Sequence, residues 1–149
     1  MTEEATPAPV AIADTSGLLA YFDRREPEHA ACRAAMASIS HAVVSPMVLA
    51  ELDYMLTTGV GAAAAQEALA YILSQVAVRR FDVPDAEPEL AAAHAVMRRY
   101  DEIGLTDAMN VALAATFRTD VIFTLDRKHF RAVRPLTAHE FFRLFPDDI

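Results

Sequence analysis

The sequence predicts an α/β sandwich with a mainly parallel sheet. Short apolar runs recur along the chain, and stretches with helical spacing separate them. Short strands that alternate with helices imply a mainly parallel sheet. VAIA (10–13), bounded by Pro9 and Asp14, is the first strand, and GLLAYFDR follows with helical spacing. Residues 26–40 read as a helix and HAVVS (41–45) as a second strand. Ser45-Pro46 has the form of an N-cap with proline at the first helical position, opening PMVLAELDYMLTT. Gly59 and Gly61 break that helix, and residues 62–75 form the next. VAVRRFDV (76–83) reads as a third strand, 85–100 as a helix, and 107–118 as a helix that Thr106 would cap. VIFTL (121–125) is the fourth strand. RAVRP offers a short fifth strand, and 137–145 a closing helix.

The chain of 149 residues is long enough for one core of ordinary size, and neither a repeat nor a linker divides it. Residues 1–9 read as a flexible tail and 10–149 as a single domain. Hydrophobic content of 54% with 23% charged residues excludes a disordered chain. No apolar run reaches the length of a bilayer span, and MTEEATPAP lacks the basic and apolar regions of a secretory signal. With a single cysteine, Cys32, these features lead to the expectation of a cytoplasmic protein. The net charge of −8 argues against a broad basic surface for nucleic acid.

Functional groups of a parallel sheet collect beyond the carboxyl ends of its strands. Asp14 follows the first strand and Asp126 the fourth. Either alone is equally what a turn or a helix N-cap requires. Glu51 has Met47, Val48, Tyr54 and Met55 as same-face neighbours, so its charge calls for a cation to meet it. Asp53 lies on the same helix, and one of the two is expected to face solvent. Asp107 opens a helix, where an acid also complements the dipole, and Asn110 shares its face. Four acids converging on one cation would favour Mg²⁺ or Mn²⁺ over zinc. The five histidines have no metal-binding spacing, and the chain has neither a phosphate-cradling glycine loop nor a dinucleotide motif.

Four motifs occur in order: Asp14-Thr15-Ser16, Ser45-x₄-Ala50-Glu51, Gly104-Leu105-Thr106-Asp107-Ala108, and Thr124-Leu125-Asp126-x₃-Phe130. Together they resemble the PIN domain family, in particular the VapC-type toxins of bacterial toxin–antitoxin systems. The resemblance runs from about residue 10 to 135. It implies a PIN-like three-layer α/β/α sandwich with a mainly parallel four- to five-stranded sheet, and Mg²⁺- or Mn²⁺-dependent endoribonuclease activity. It further implies a catalytic, metal-binding site of Asp14, Glu51, Asp107 and Asp126, supported by Ser16 and Thr124; Asn110, by its helical spacing from Asp107 alone, is a supporting hydrogen-bonding neighbour or a polar surface residue. Homodimerisation and inhibition by a small antitoxin are implied as well, and an arginine of that antitoxin would suit the acidic pocket. Asp101 and Glu102, just before Gly104, are further acids near the site.

Arg127, Lys128, Arg131 and Arg134 form a local basic rim that would hold RNA phosphates, or else a solvated loop. Two other functions stay open on sequence. One is a catalytically silent PIN-like interaction module, using the alanine- and methionine-containing helices as grooves. The other is a phosphotransferase built on Asp14-Thr15-Ser16, which lacks the second acid such enzymes place two residues on.

Overall fold

The computed structural model describes residues 7–149; most of the expected N-terminal tail, residues 1–6, lies outside them. Five parallel strands form one sheet: β1 (Val10–Ala13), β2 (His41–Val44), β3 (Phe81–Asp82), β4 (Val121–Phe123) and β5 (Arg143–Phe145), in the order β3-β2-β1-β4-β5. The helices are α1 (Thr15–Phe22), α2 (His29–Ala37), α3 (Pro46–Gly59), α4 (Ala62–Ala77), α5 (Leu90–Arg99, preceded by a 3₁₀ turn at Glu87–Glu89), α6 (Leu105–Thr116) and α7 (Arg127–Ala132).

Strand alternation divides the core into two halves. Ala11, Ala13, Val44 and Phe123 face α1 to α4, while Ile12, Val43 and Ile122 face α5 to α7. Both faces of the sheet are therefore covered, and its central strands are apolar except for His41 at the start of β2, as buried parallel strands require. The sheet is the middle layer of an α/β/α sandwich, as expected. Ser45 caps α3 by accepting the Met47 N–H at 3.2 Å, with Pro46 at the first helical position. The α3–α4 break also falls at its glycines, with Gly61 at φ 146°, a conformation closed to most side chains.

Three element assignments are corrected. The expected strand 76–83 shrinks to Phe81–Asp82, because α4 runs on to Ala77 and a turn through Arg79 (φ 60°) uses the intervening residues. The Arg80 guanidinium fixes that turn by donating to the carbonyls of Met36 and Ile39. RAVRP forms no strand, since Arg131 and Ala132 end α7. The fifth strand lies instead inside the expected helix 137–145. Phe141 and Arg143 are exposed while Phe142 and Leu144 are buried, a period of two that fits the open edge of β4. Helix boundaries move as well: α2 is shorter than 26–40, and α6 begins at Leu105 with Gly104 at its N-cap, so Thr106 is free of capping.

Candidate active site

The carboxyl ends of β1 and β4 set the position of the site. Ala13 and Phe123 are register partners, and the Asp14 N–H donates to the Phe123 carbonyl at 2.9 Å. The residues that follow the two strands thus emerge side by side. α1 starts at once and runs very close to β4. A Cβ on Gly17 would lie 2.7 Å from the Phe123 carbonyl oxygen, closer than any side chain tolerates. Glycine is what lets the first turn of α1 sit over the end of β4.

This approach encloses Asp14, which is 4% exposed. Its Oδ2 accepts from the Thr124 hydroxyl at 2.7 Å and from Ser16 at 3.2 Å, and its Oδ1 accepts from the Asn110 amide at 3.2 Å. Burial pushes its pKa above the usual carboxylate range, and the hydrogen bonds oppose that rise. Thr124 also accepts the Asp126 N–H at 2.9 Å, and Ser16 accepts the Leu125 N–H at the same distance. The three supporting residues expected from sequence are all brought to Asp14. Asn110 is fully buried, and its own Oδ1 has no hydrogen-bond partner among the described residues.

Glu51 enters from α3. Two threonines hold it: Thr15 donates to Oε1 at 2.9 Å and Thr106 to Oε2 at 2.7 Å. The expectation of an apolar surround is corrected. Glu51 is exposed at the mouth of the cavity, and its neighbours Tyr54 and Met55 are 70% and 40% exposed. Asp53 is exposed too, beside the α3–α4 groove, so both acids of the helix meet solvent.

Asp107 stands in the first turn of α6, half-buried, and receives no hydrogen bond to its carboxylate among the described residues. Burial pushes its pKa up to about 7; Asp14, Asp126 and Glu51 add to the rise and His129 opposes it. Asp126 is the N-cap of α7, accepting the His129 N–H at 3.1 Å and the ring Nδ1 at 2.7 Å. That contact raises the pKa of His129. The same nitrogen lies 3.6 Å from Asp107.

A cavity of about 470 Å³ joins these groups, with all four predicted acids on its walls together with Glu26 from the α1–α2 connection. Glu26, Thr15, Thr106 and His129 were given no site role by sequence reasoning. His129 was legible in principle, three residues past Asp126 on a helix start. Glu26 gave no signal, since it sits in an irregular loop. Asp101 and Glu102 lie outside this cavity, exposed beside Lys128.

Three of the four basic residues of the expected rim are paired within the chain. Arg127 donates to Asp147 and to Glu28, Arg131 contacts Asp148 at 2.7 Å, and Lys128 reaches Glu102 at 3.8 Å. Arg134 makes no side-chain ion pair among the described residues.

The PIN domain model matches residues 11–135, a span that takes in all four acids. The chain belongs to the PIN domain family. Ribonuclease VapC26 of Mycobacterium tuberculosis (strain ATCC 25618 / H37Rv) is 44% identical over 134 residues, covering 87% of this chain and 96% of that relative. Two solved structures share the PIN fold. Mycobacterium tuberculosis VapC20, described as a sarcin–ricin loop cleaving toxin, superposes with a TM-score of 0.68 at 24% identity, covering 80% of this chain and 91% of that one. VapBC2 from Rickettsia felis, bound to a DNA fragment from its promoter, gives 0.62 at 17% identity, covering 83% and 92%. β5 lies beyond the residues matched to the PIN model and still completes the sheet on β4.

Proposed function

We propose that this PIN protein is a divalent-metal-dependent endoribonuclease and the toxin of a toxin–antitoxin pair. The observation that carries this reading is the convergence of Asp14, Glu51, Asp107 and Asp126 on one cavity, where burial and the neighbouring acids drive Asp107 to about 7. The donor set fits Mg²⁺ or Mn²⁺, because carboxylate oxygens are hard ligands and four carboxylates line one cavity. Asp14, Asp107, Asp126 and Glu51 would hold the ion or ions. When bound, such an ion lowers the pKa of a water and stabilises charge on a phosphodiester.

The chain's own residues supply pre-organisation. Thr124, Ser16 and Asn110 fix both oxygens of Asp14, so its carboxylate needs no reordering when it meets a cation. Thr15 and Thr106 aim Glu51 across the cavity mouth. Arg134, with no ion pair among the described residues, and Lys128, with only a loose one, could hold phosphates flanking the scissile bond; Arg127 and Arg131 would have to exchange their acidic partners for RNA. The similarity to Ribonuclease VapC26 supports RNA as the substrate. An antitoxin that places an arginine among the four acids would exclude the metal. A homodimer and a cytoplasmic location belong to the same reading; no helix among the described residues is long and apolar enough to cross a membrane.

RNA cleavage with Mg²⁺ or Mn²⁺, with and without EDTA, tests the proposal. D14N, E51Q and D107N should each lower the rate at least about a hundredfold, and EDTA should abolish cleavage. Full activity in all three variants would sink the site assignment. A Mn²⁺-dependent thermal shift separates an enzyme from a silent module, which would show none.

A further inference from the structure

His129 occupies a place that an all-carboxylate site leaves unexplained. Its Nδ1 sits between two acids, 2.7 Å from Asp126 and 3.6 Å from Asp107. One donor atom from each of the three residues lies within 4.8 Å of the other two. Ligand bonds of about 2.1 Å put neighbouring donors about 3 to 3.4 Å apart, so the Nδ1–Asp126 pair needs to open slightly and the Asp107 oxygen to close slightly for the three to share one ion. The ring cannot drift from this position freely. Asp126 caps α7 through the His129 N–H, so carboxylate and imidazole are carried by the same turn. The side chain is 29% exposed and opens onto the acidic cavity.

An imidazole nitrogen changes what such a corner prefers. Mg²⁺ demands oxygen ligands, whereas imidazole suits transition metals. We propose that His129 is a ligand, that Asp107, Asp126 and His129 hold one ion as a mixed nitrogen–oxygen triad, and that the protein therefore selects Mn²⁺ over Mg²⁺. The proposal rests on reading the cavity as a divalent-metal centre. In the ligating tautomer the ring proton is on Nε2, and the Nδ1 lone pair faces the ion together with the two carboxylates. A histidine that only positions Asp126 would keep its Nδ1–H on that carboxylate and would leave the choice between ions unchanged.

The test uses tag-free protein stripped with EDTA and loaded with substoichiometric Mn²⁺. Pulsed EPR of the bound ion should show ¹⁴N modulation of the histidine type, absent in H129Q. Mn²⁺ affinity should fall about tenfold or more in H129Q, while Mg²⁺ affinity, read by competition, changes by no more than about twofold. Bound Mn²⁺ without nitrogen coupling in the unaltered protein overturns the proposal and leaves the metal centre standing. Equal loss of both ions in H129Q also overturns it, making His129 a positioning residue. Failure of the unaltered protein to bind Mn²⁺ at all removes the metal centre and this triad together.

Discussion

Asp14 and Asp107 face the same cavity and are held in opposite ways. Asp14 is almost fully buried and accepts three side-chain hydrogen bonds. Asp107 is more open, yet it has no donor on its carboxylate among the described residues and sits in the field of three other acids. Burial raises both pKa values; hydrogen bonds from Thr124 and Ser16 oppose the rise at Asp14, whereas at Asp107 only the more distant His129 does. One acid is thus a finished part of the fold. The other is left electrostatically incomplete, the condition expected where a ligand and not the fold supplies the missing charge.

The contrast is broken most directly by amide substitution, which should move stability in opposite directions. D107N removes a charge that the metal-free fold cannot satisfy, and should stabilise it at pH 7.5 by a few kcal/mol. D14N turns one oxygen into a donor facing a hydroxyl or amide donor, and should destabilise it by about 1–3 kcal/mol. Thermal melts in EDTA read both. Equal and same-signed shifts would end the distinction.

The pH dependence sharpens it. Asp107 titrates near 7 in the folded chain against an ordinary value near 3.8. Between these values the folded state binds the extra proton, so this group's contribution is full below about 3.8 and is lost as pH rises to about 7. The advantage of D107N over the unaltered protein should therefore be largest above pH 7 and shrink toward zero near pH 4. A constant gap across that range would mean that Asp107 is not perturbed.

Gly17 and Thr106 give smaller effects. G17A forces a Cβ against the Phe123 carbonyl and should cost about 1–3 kcal/mol, with loss of metal affinity as α1 lifts from β4. T106A frees one oxygen of Glu51 and should weaken metal binding about tenfold, seen by calorimetry, with little change in Tm. The smallest change belongs to K128E. Its partner Glu102 is distant and exposed, so stability should move by less than about 1 kcal/mol while the salt dependence of RNA binding becomes shallower.

Much of this was readable beforehand. Short continuous apolar runs placed β1, β2 and β4, and the Ser45-Pro46 and Gly59–Gly61 signals bounded α3 on both sides. All four acids reached one cavity because two follow adjacent strands and two lie on helices that pack over the strand ends. The failures are equally physical. VAVRRFDV has strand-like composition, but a preceding helix extended into it. FFRLF was read as the end of a helix over 137–145, although its phenylalanines suit a strand, and the unpaired edge of β4 took it as one. The apolar neighbours of Glu51 suggested a buried charge, but only Met47 and Val48 turn inward, whereas Tyr54 and Met55 face solvent and leave Glu51 open. The basic rim was visible as charge, but its acidic partners Glu28, Asp147 and Asp148 are distant in sequence and no local pattern announces them.

The pairing of β1 with β4 joins residues about a hundred positions apart, and Asp14 draws its hydroxyl partner from beyond β4. On a ribosome, Asp14 and Glu51 are made long before Thr124 and Asp126. A nascent chain thus carries half of the acidic cavity with nothing to close it, and the site comes into being only once β4 has been synthesised and inserted beside β1.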